Sequence, residues 1–245
     1  MNALEVRALR KEYPAFTLQD VSFDVPQGAI MGFIGRNGAG KSTTLKSILG
    51  LVHPDGGAVR FFDADVARDE KSFKEQIGVV LGGIDFYPKR KVKDITDVTR
   101  RFYPNWDEAK YQHYCQLFSL DGNKRVDQLS SGMRVKYLIA LALSHNAKLL
   151  ILDEPTSGLD PVSRDELVEL FRAIVADGSR SVLFSTHITS DLEKCASHIT
   201  FIKDGAIVHT GTVESFMAAF AQHGSTLEDV IVSVERRELD ENAIV

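Results

Sequence analysis

The stretch Gly35-Arg-Asn-Gly-Ala-Gly-Lys-Ser-Thr43 decides how the rest of this chain folds. It fits the pattern G-x-x-x-x-G-K-[ST], and it lies between an apolar run, Ala29 to Ile34, and a run with helical spacing, Thr44 to Leu51. The pattern has a physical meaning in this context, where a buried strand turns through glycines into the start of a helix. The sequence therefore predicts a phosphate-binding loop at the edge of an α/β sheet.

The residue types in this loop favour a nucleotide. Its three glycines allow backbone conformations in which successive N–H groups converge on one anion at a helix N-terminus. Lys41 is expected to reach the β- and γ-phosphates, and the Ser42 hydroxyl to ligate Mg²⁺. A turn that only joins strand to helix is the structural alternative, but a lysine and two hydroxyls serve packing poorly. The predicted nucleotide contacts of the loop are Gly35, Arg36, Asn37, Gly38, Ala39, Gly40, Lys41, Ser42 and Thr43.

The overall composition limits the classes of function. The 245 residues suffice for one large domain or two small ones, and the net charge of −5 gives no electrostatic reason to bind nucleic acid. No apolar run approaches the roughly 20 residues that span a bilayer, and the N-terminus lacks the pattern of a signal peptide. Cys115 and Cys195 predict free thiols. We expect a cytoplasmic protein that reaches the inner face of the cell membrane through a partner.

Strand and helix patterns predict an α/β fold with two additions to its core. Two alternating segments, Leu4 to Arg10 and Leu18 to Val25, predict an antiparallel β-subdomain at the N-terminus. Apolar runs such as Ile77 to Leu81 predict buried strands of a mixed core sheet. Amphipathic spacing predicts an inserted helical subdomain over about residues 86–140, with helices at Val92 to Phe102 and Trp106 to Leu120, within one domain of residues 1–234. We expect the charged tail, residues 235–245, to fray or to contact a second copy.

Aromatic residues are concentrated in the predicted helical subdomain. We expect Phe102, Tyr114 and Phe118 to form its own small core. Buried aromatic anchors commonly dominate binding in grooves that receive a helix, so some of the others are candidates for lining such a groove. These others are Phe86, Tyr87, Tyr103, Trp106 and Tyr111.

The segment Leu149-Leu-Ile-Leu-Asp153-Glu154-Pro155 predicts a catalytic edge. Four apolar residues that run into two carboxylates describe a buried strand with both acids at its C-terminal end, where α/β sheets bind ligands. Asp153 is expected to hold Mg²⁺ directly or through water, and Glu154 to orient and deprotonate the attacking water. Two merely solvated acids would not explain their position at the edge that also carries the phosphate loop.

Two further residues are candidates for contact with the nucleotide. His187 follows the apolar strand Ser181 to Thr186, at the same predicted edge as the two acids, and we interpret it as a γ-phosphate sensor. Its alternative role is to cap the next helix. Tyr13 lies upstream of the phosphate loop, where its ring can stack on a base, an interaction worth about 1–3 kcal/mol elsewhere. The alternative for Tyr13 is packing within the N-terminal hairpin.

With these motifs in this order, nearly the whole chain resembles the nucleotide-binding subunits of ABC transporters. The resemblance implies an A-loop at Tyr13, a signature at Leu129 to Met133, a D-loop around Asp160 and a switch histidine at His187. It also implies Mg²⁺-dependent ATP hydrolysis, with Lys41 in the P-loop. By themselves, the hydroxyls before the predicted helix Arg134 to His145 are better explained by an ordinary N-cap.

The resemblance also implies partners. The family's subunits form head-to-tail dimers, homomeric or heteromeric, and work with an integral membrane subunit. In such a dimer Ser130, Ser131 and Gly132 contact the ATP held by the opposite copy.

The chain departs from the family pattern at two places. The usual L-S-G-G-Q is Leu129-Ser-Ser-Gly-Met133 here, but the first serine and the second glycine remain, so contact in trans is still expected. Gly82 and Gly83 stand where the family has a glutamine that ligates Mg²⁺ and couples to the membrane subunit. Water or Asp85 are the alternatives for this ligand. We still expect hydrolysis, because the P-loop lysine, both acids and the histidine are present.

The segment Phe102-Tyr-Pro-Asn-Trp-Asp107, together with the glutamine-less loop, resembles bacterial exporters of antimicrobial or cytolytic peptides, such as those of phenol-soluble modulins. The alternatives are other ABC ATPases that are not coupled to transport. Those that act on ribosomes usually carry two cassettes, and those of DNA repair contain a long coiled coil, whereas this chain has one cassette and no sustained heptads. The remaining alternative is a regulatory module that binds nucleotide without hydrolysing it. A measurement of ATP turnover distinguishes such a module from an ATPase.

Overall fold

The computed structural model describes residues 1–81 and 87–235. The strands are β1 (Asn2–Tyr13), β2 (Phe16–Pro26), β3 (Ile30–Ile34), β4 (Gly56–Phe61), β5 (Ala64–Asp65), β6 (Ile77–Val80), β7 (Leu149–Asp153), β8 (Ser181–Thr186), β9 (His198–Lys203) and β10 (Ala206–Thr212). The α-helices are α1 (Lys41–Ile48), α2 (Glu70–Glu75), α3 (Val92–Thr99), α4 (Glu108–Leu117), α5 (Ser131–Ser144), α6 (Pro161–Val175), α7 (Thr189–Cys195), α8 (Val213–Ala219) and α9 (Leu227–Glu235). Short 3₁₀ turns cover Arg100–Phe102, Val126–Gln128 and Ala221–His223.

The core is a six-stranded mixed sheet, as the sequence predicts. Its strand order is β10-β9-β3-β8-β7-β6, and every pair is parallel except β9 with β10. The central strands β3, β7 and β8 are buried along their whole length, because helices and a second sheet cover both faces. This burial explains why these strands appear in the sequence as continuous apolar runs.

The N-terminal strands form a separate antiparallel sheet with the order β2-β1-β4-β5. This sheet packs on the core sheet, with the ring of Phe23 in β2 stacked on Phe33 in β3 at a centroid distance of 5.3 Å. On the opposite face of the core sheet, Phe171 of α6 packs against Phe184 of β8. The phosphate loop therefore starts from a strand that is held between two apolar layers.

Strand register brings three chain segments to one edge of the core sheet. Ile34, the last residue of β3, pairs with Thr186, the last residue of β8. Asp153, the last residue of β7, pairs with Ser185. Because parallel strands end at the same edge, the segments that follow β3, β7 and β8 emerge side by side.

The helical region, residues 87–145, contains α3, α4 and α5 around a small core of its own. At its centre the Thr96 hydroxyl contacts the Tyr111 hydroxyl at 2.8 Å and the Tyr137 hydroxyl at 3.0 Å, and all three residues are buried. A buried hydroxyl needs a hydrogen-bond partner, so this network fixes how the three helices pack. No helix in residues 1–81 or 87–235 has the length and hydropathy required to cross a bilayer.

The structure corrects two expectations about this region. Phe102, expected in the small core, is 71% exposed, because the predicted helix Val92 to Phe102 ends early and continues as a 3₁₀ turn that rotates this residue outward. Tyr111, a candidate for the groove, lies in the small core instead. Tyr114 and Phe118 pack against that core as predicted.

Two short helices escaped the sequence prediction. Helix α2 has only six residues, too few for a periodic pattern, and α9 was not anticipated before the charged tail. The predictions for Gly82, Gly83, Asp85 and Phe86, and for the tail beyond Glu235, lie outside the described residues.

Candidate active site

The phosphate loop follows the backbone path that its glycines permit. Gly38 and Gly40 have φ angles of +86° and +113°, in a region that residues with a Cβ rarely adopt. Gly35 is needed for another reason, because a Cβ there would collide with the carbonyl oxygen of Ile202 in β9. A Cβ on Gly38 would meet no atom of residues 1–81 or 87–235 within 4 Å, so the described structure leaves open space at this point of the loop.

Lys41 starts helix α1 and is held inside the loop. Its side chain is 5% exposed, and its ammonium donates hydrogen bonds to the carbonyl oxygens of Gly35 at 2.7 Å and Arg36 at 3.2 Å. The same nitrogen lies 3.3 Å from Oε1 of Glu154. A buried ammonium needs such partners, so the loop positions the lysine at the edge where the other charged groups converge.

The two acids after β7 differ in how they are held. Asp153 is buried, and its Oδ1 accepts a hydrogen bond from the Ser185 hydroxyl at 2.6 Å. Glu154 has a φ of +51°, an uncommon value for a residue with a side chain. Its N–H donates to the same hydroxyl at 2.9 Å and to the Ser185 carbonyl at 3.2 Å, which maintains this turn. The serine at the end of β8 was missed by the sequence interpretation; its only signal is a small hydroxyl at a buried strand end.

Glu154 lies between the other two predicted catalytic residues. Its Oε2 is 2.8 Å from Nδ1 of His187, while its Oε1 faces Lys41. Oε1 is buried and accepts no hydrogen bond from residues 1–81 or 87–235, and the nearby ammonium donates two of its three protons to the loop carbonyls. The Glu154 carboxylate therefore links the lysine and the histidine.

The site fits a magnesium-bound nucleotide in the chemistry of its ligands. Ser42 is half-buried at the start of α1, and Asp153 lies at the adjoining strand end, so both offer the hard oxygen atoms that Mg²⁺ prefers. In residues 1–81 and 87–235, no cluster of three or more His, Cys, Asp or Glu side chains could hold a metal alone. Mg²⁺ typically takes one or two protein ligands beside phosphate oxygens and water, so this sparse donor set suits it.

Tyr13 is the last residue of β1 and pairs with Phe16 across a tight turn. It is 41% exposed, and the ammonium of Lys11 lies 5.8 Å from its ring centroid. The neighbouring Phe16 borders the phosphate loop, since a Cβ on Gly40 would come within 2.9 Å of its ring. Contact of Tyr13 with a base stays a prediction, and Phe16 is a second aromatic residue at the loop that the sequence interpretation did not identify.

The signature segment lies at the start of α5. Ser130 caps this helix by accepting a hydrogen bond from the N–H of Met133 at 3.2 Å, while the Ser131 side chain is exposed. Gly132 is buried, and a Cβ there would lie 3.5 Å from Cβ of Ser163 in α6. The signature segment therefore packs on the start of α6 through Gly132, while the Ser131 side chain is exposed.

Asp160 caps helix α6 in the same way. Its carboxylate accepts hydrogen bonds from the N–H groups of Val162 and Ser163 and from the Ser163 hydroxyl at 2.6 Å. These bonds, the hydroxyl first, lower the pKa of the Asp160 carboxyl, so it is ionised at neutral pH. The D-loop aspartate thus has a structural role within the chain beside any role at a nucleotide.

Comparison with known proteins agrees with this geometry. A family model described as ABC transporter matches residues 18–157. The bacitracin transport ATP-binding protein BcrA of Bacillus licheniformis is 30% identical over 194 residues, which are 78% of this chain and 63% of that protein. The Nod factor export ATP-binding protein I of Paraburkholderia xenovorans is 31% identical over 225 residues, which are 89% of this chain and 73% of that protein.

A solved structure of an ATP-binding subunit of an ABC transporter superposes with a TM-score of 0.85 at 28% identity, over 96% of this chain and 100% of that one. The chain therefore belongs to the ABC transporter family, as an ATP-binding subunit with the P-loop NTPase fold predicted from its sequence. It is an ATP-hydrolysing enzyme that uses ATP and Mg²⁺.

Proposed function

We propose that this chain hydrolyses ATP to power a separate membrane subunit that exports peptides. The observation that carries the proposal is the convergence of Lys41, Glu154 and His187 within 3.3 Å at the sheet edge that bears the phosphate loop. These groups come from three segments far apart in sequence, and their charges and hydrogen-bonding capacities match the needs of phosphoryl transfer to water.

Each residue has a distinct part in the proposed reaction. Oε1 of Glu154 accepts a proton from the attacking water, a role that typically contributes about 10²–10⁴-fold in rate. Lys41 leaves the loop carbonyls to contact the phosphates, and the loop N–H groups together with His187 stabilise the charge on the transferred group. Ser42 and Asp153 hold Mg²⁺, which neutralises phosphate charge when bound.

A second copy of the chain, or a related subunit, completes each site in this proposal. Ser131 is exposed at the N-terminus of α5, where free N–H groups and the helix dipole favour an anion. Ser130 and Gly132 support that helix start through a cap and a contact with α6. We assign these three residues to the γ-phosphate held by the opposite copy, and Asp160 to the interface beside it.

An apolar groove beside the core sheet is the proposed attachment point of the membrane subunit. Its volume is about 440 Å³, and it lies between β6 and the helical region. Tyr103 stacks on His145 at a centroid distance of 3.7 Å and forms one wall with it. An amphipathic helix of the partner would bury its apolar face here. The other lining residues include Leu49, Ile77, Leu81, Leu138 and Leu141.

The exported substrate is proposed from similarity rather than from the site. The two relatives named above are bacitracin transport and Nod factor export ATP-binding proteins, and this supports transport out of the cell as the direction. The resemblance of residues 102–107 to peptide exporters favours an amphipathic peptide as the cargo.

The test is ATP turnover by the purified chain, alone and with the membrane protein that copurifies with it from its host. We expect slow turnover alone and a change of several-fold when the partner in a membrane is added. Stimulation by added amphipathic peptides would support the cargo. Nucleotide binding with no turnover in either condition would contradict the proposal and favour a regulatory module.

A further inference from the structure

A ridge of basic side chains crosses the helical region. Residues 87–93 and 122–125 contain six basic residues and no acidic ones, in a chain whose net charge is −5. All six side chains are exposed. We define this basic ridge by its members, which are Lys89, Arg90, Lys91, Lys93, Lys124 and Arg125.

The backbone brings the two segments together. The N–H of Val126 donates to the carbonyl of Arg90, and the N–H of Val92 donates to the carbonyl of Lys124 at 2.9 Å. Lys91 and Arg125 lie directly opposite each other in an antiparallel bridge. Like charges in this position destabilise a pair of strands, so the arrangement requires compensation.

The chain itself supplies little of this compensation. Asp127 pairs with Nε of Arg125 at 2.9 Å, and Asp94 and Asp121 flank the ridge. In the described part of the chain, the other five basic side chains have no ion pair within 4 Å. With three acids against six bases among these residues, the local charge is positive and suits an external anion.

Exposed apolar side chains adjoin the ridge. Tyr87 and Val98 are 64% and 54% exposed, and they line one shallow cavity together with Arg90. Phe102 lies in the turn that follows α3. Basic residues beside exposed aromatic and aliphatic ones are typical of surfaces that lie on a membrane interface, whereas an extended phosphate backbone would not need the apolar groups.

We propose that the basic ridge contacts the anionic headgroups of the bilayer that holds the membrane subunit. The proposal rests on the function proposed above, because the ridge lies next to the proposed docking groove. Helix α3 starts in the ridge at Val92 and ends at Thr99 on the groove wall, a length of about 12 Å. A partner seated in the groove would therefore hold the ridge near the lipid surface.

The experiment measures binding of the full chain to phosphatidylcholine vesicles with and without phosphatidylglycerol, in the absence of any membrane subunit. The wild type is expected to bind the anionic vesicles and to be released by salt. The triple variant Lys89→Gln, Lys91→Gln, Lys93→Gln should bind about 100-fold more weakly, since each basic residue near an anionic surface contributes about fivefold.

The matched control removes three exposed positive charges elsewhere, by Arg60→Gln, Arg68→Gln and Lys71→Gln, and should change vesicle binding less than about threefold. ATP turnover of both variants should equal the wild type, which also verifies folding. The proposal is overturned if the wild type binds neutral and anionic vesicles equally, if the control loses as much binding, or if the ridge instead binds single-stranded RNA or DNA. Vesicle binding without ATP turnover would overturn only the proposed function.

Discussion

The catalytic edge and the apolar groove handle ionisable side chains in opposite ways. At the edge, Glu154 has the ammonium of Lys41 beside one oxygen and the imidazole of His187 beside the other, so polar groups partner its carboxylate in the chain itself. In the groove, His145 is 3% exposed, and its Nδ1 has no hydrogen-bond partner among the residues that the structure describes. Burial lowers the pKa of His145 to about 4, so the ring is neutral at pH 7. The catalytic edge therefore suits charged groups, whereas the groove suits an apolar contact.

The largest effect should come from Glu154→Gln at the edge. The amide keeps the size of the side chain but has no basic oxygen, so turnover should fall by about 10²–10⁴-fold. ATP binding should persist, because the phosphate loop and its lysine are unchanged, and the ATP-bound dimer should accumulate. Steady-state turnover, equilibrium ATP binding and size-exclusion chromatography measure these outcomes.

The control for this variant is Glu169→Gln, which neutralises an exposed carboxylate on α6 and should turn over like the wild type. If Glu154→Gln hydrolyses ATP at the wild-type rate, the assignment of the general base is wrong.

The edge could be predicted in detail from the sequence, and the groove could not. Asp153, Glu154 and His187 follow apolar strands, and parallel topology alone brings the ends of such strands together. The groove depends on how α5 and the segment around Tyr103 pack over β6, and no short motif encodes that packing. Phe102 was misplaced for the same reason, because a helix that ends three residues early turns its last side chain outward.

The catalytic edge of one chain is expected to need the signature segment of a second copy, and Ser131→Glu tests this. Ser131→Glu adds a negative charge at the start of α5, where an acid suits the helix dipole but repels phosphate. Turnover should fall about tenfold or more, since like charges near 4 Å cost about 1–4 kcal/mol in water or near a surface. The uncharged Ser131→Gln is the control for size and should lose less.

Mixing two inactive variants shows whether the signature segment acts on the ATP held by its own chain or by the opposite copy. A Lys41→Ala chain keeps its signature, and a Ser131→Glu chain keeps its phosphate loop. If the copies pair at random, half of the dimers carry one intact site of two, so mixing should restore about a quarter of wild-type turnover. No recovery on mixing, with mixed dimers verified by tag pull-down, would contradict a signature that acts on the opposite copy.

The last prediction concerns the stability of the fold around the groove, and it leaves turnover aside. Because the folded pKa of His145 is about 4 and the unfolded value is about 6.5, the unfolded chain binds an extra proton between these pH values. The contribution of the neutral His145 to the free energy of unfolding is fully present above pH 6.5. It is lost as the pH falls to about 4, by about 3 kcal/mol in total. Urea unfolding at pH 7 and pH 4.5 should therefore differ less in His145→Phe than in the wild type.

A second variant tests whether the Tyr103 ring over His145 causes the lowered pKa of this histidine. Tyr103→Ala removes the stacked ring at 3.7 Å and admits water to the histidine. The pH dependence should then shrink although the histidine is still present, because desolvation is the main cause of the lowered pKa. If the unfolding free energy depends on pH as strongly in both variants as in the wild type, the groove does not keep the His145 ring neutral. The contrast with the catalytic edge would then be wrong. A reduced slope in both would mean that a partner seated in the groove meets an uncharged, apolar wall.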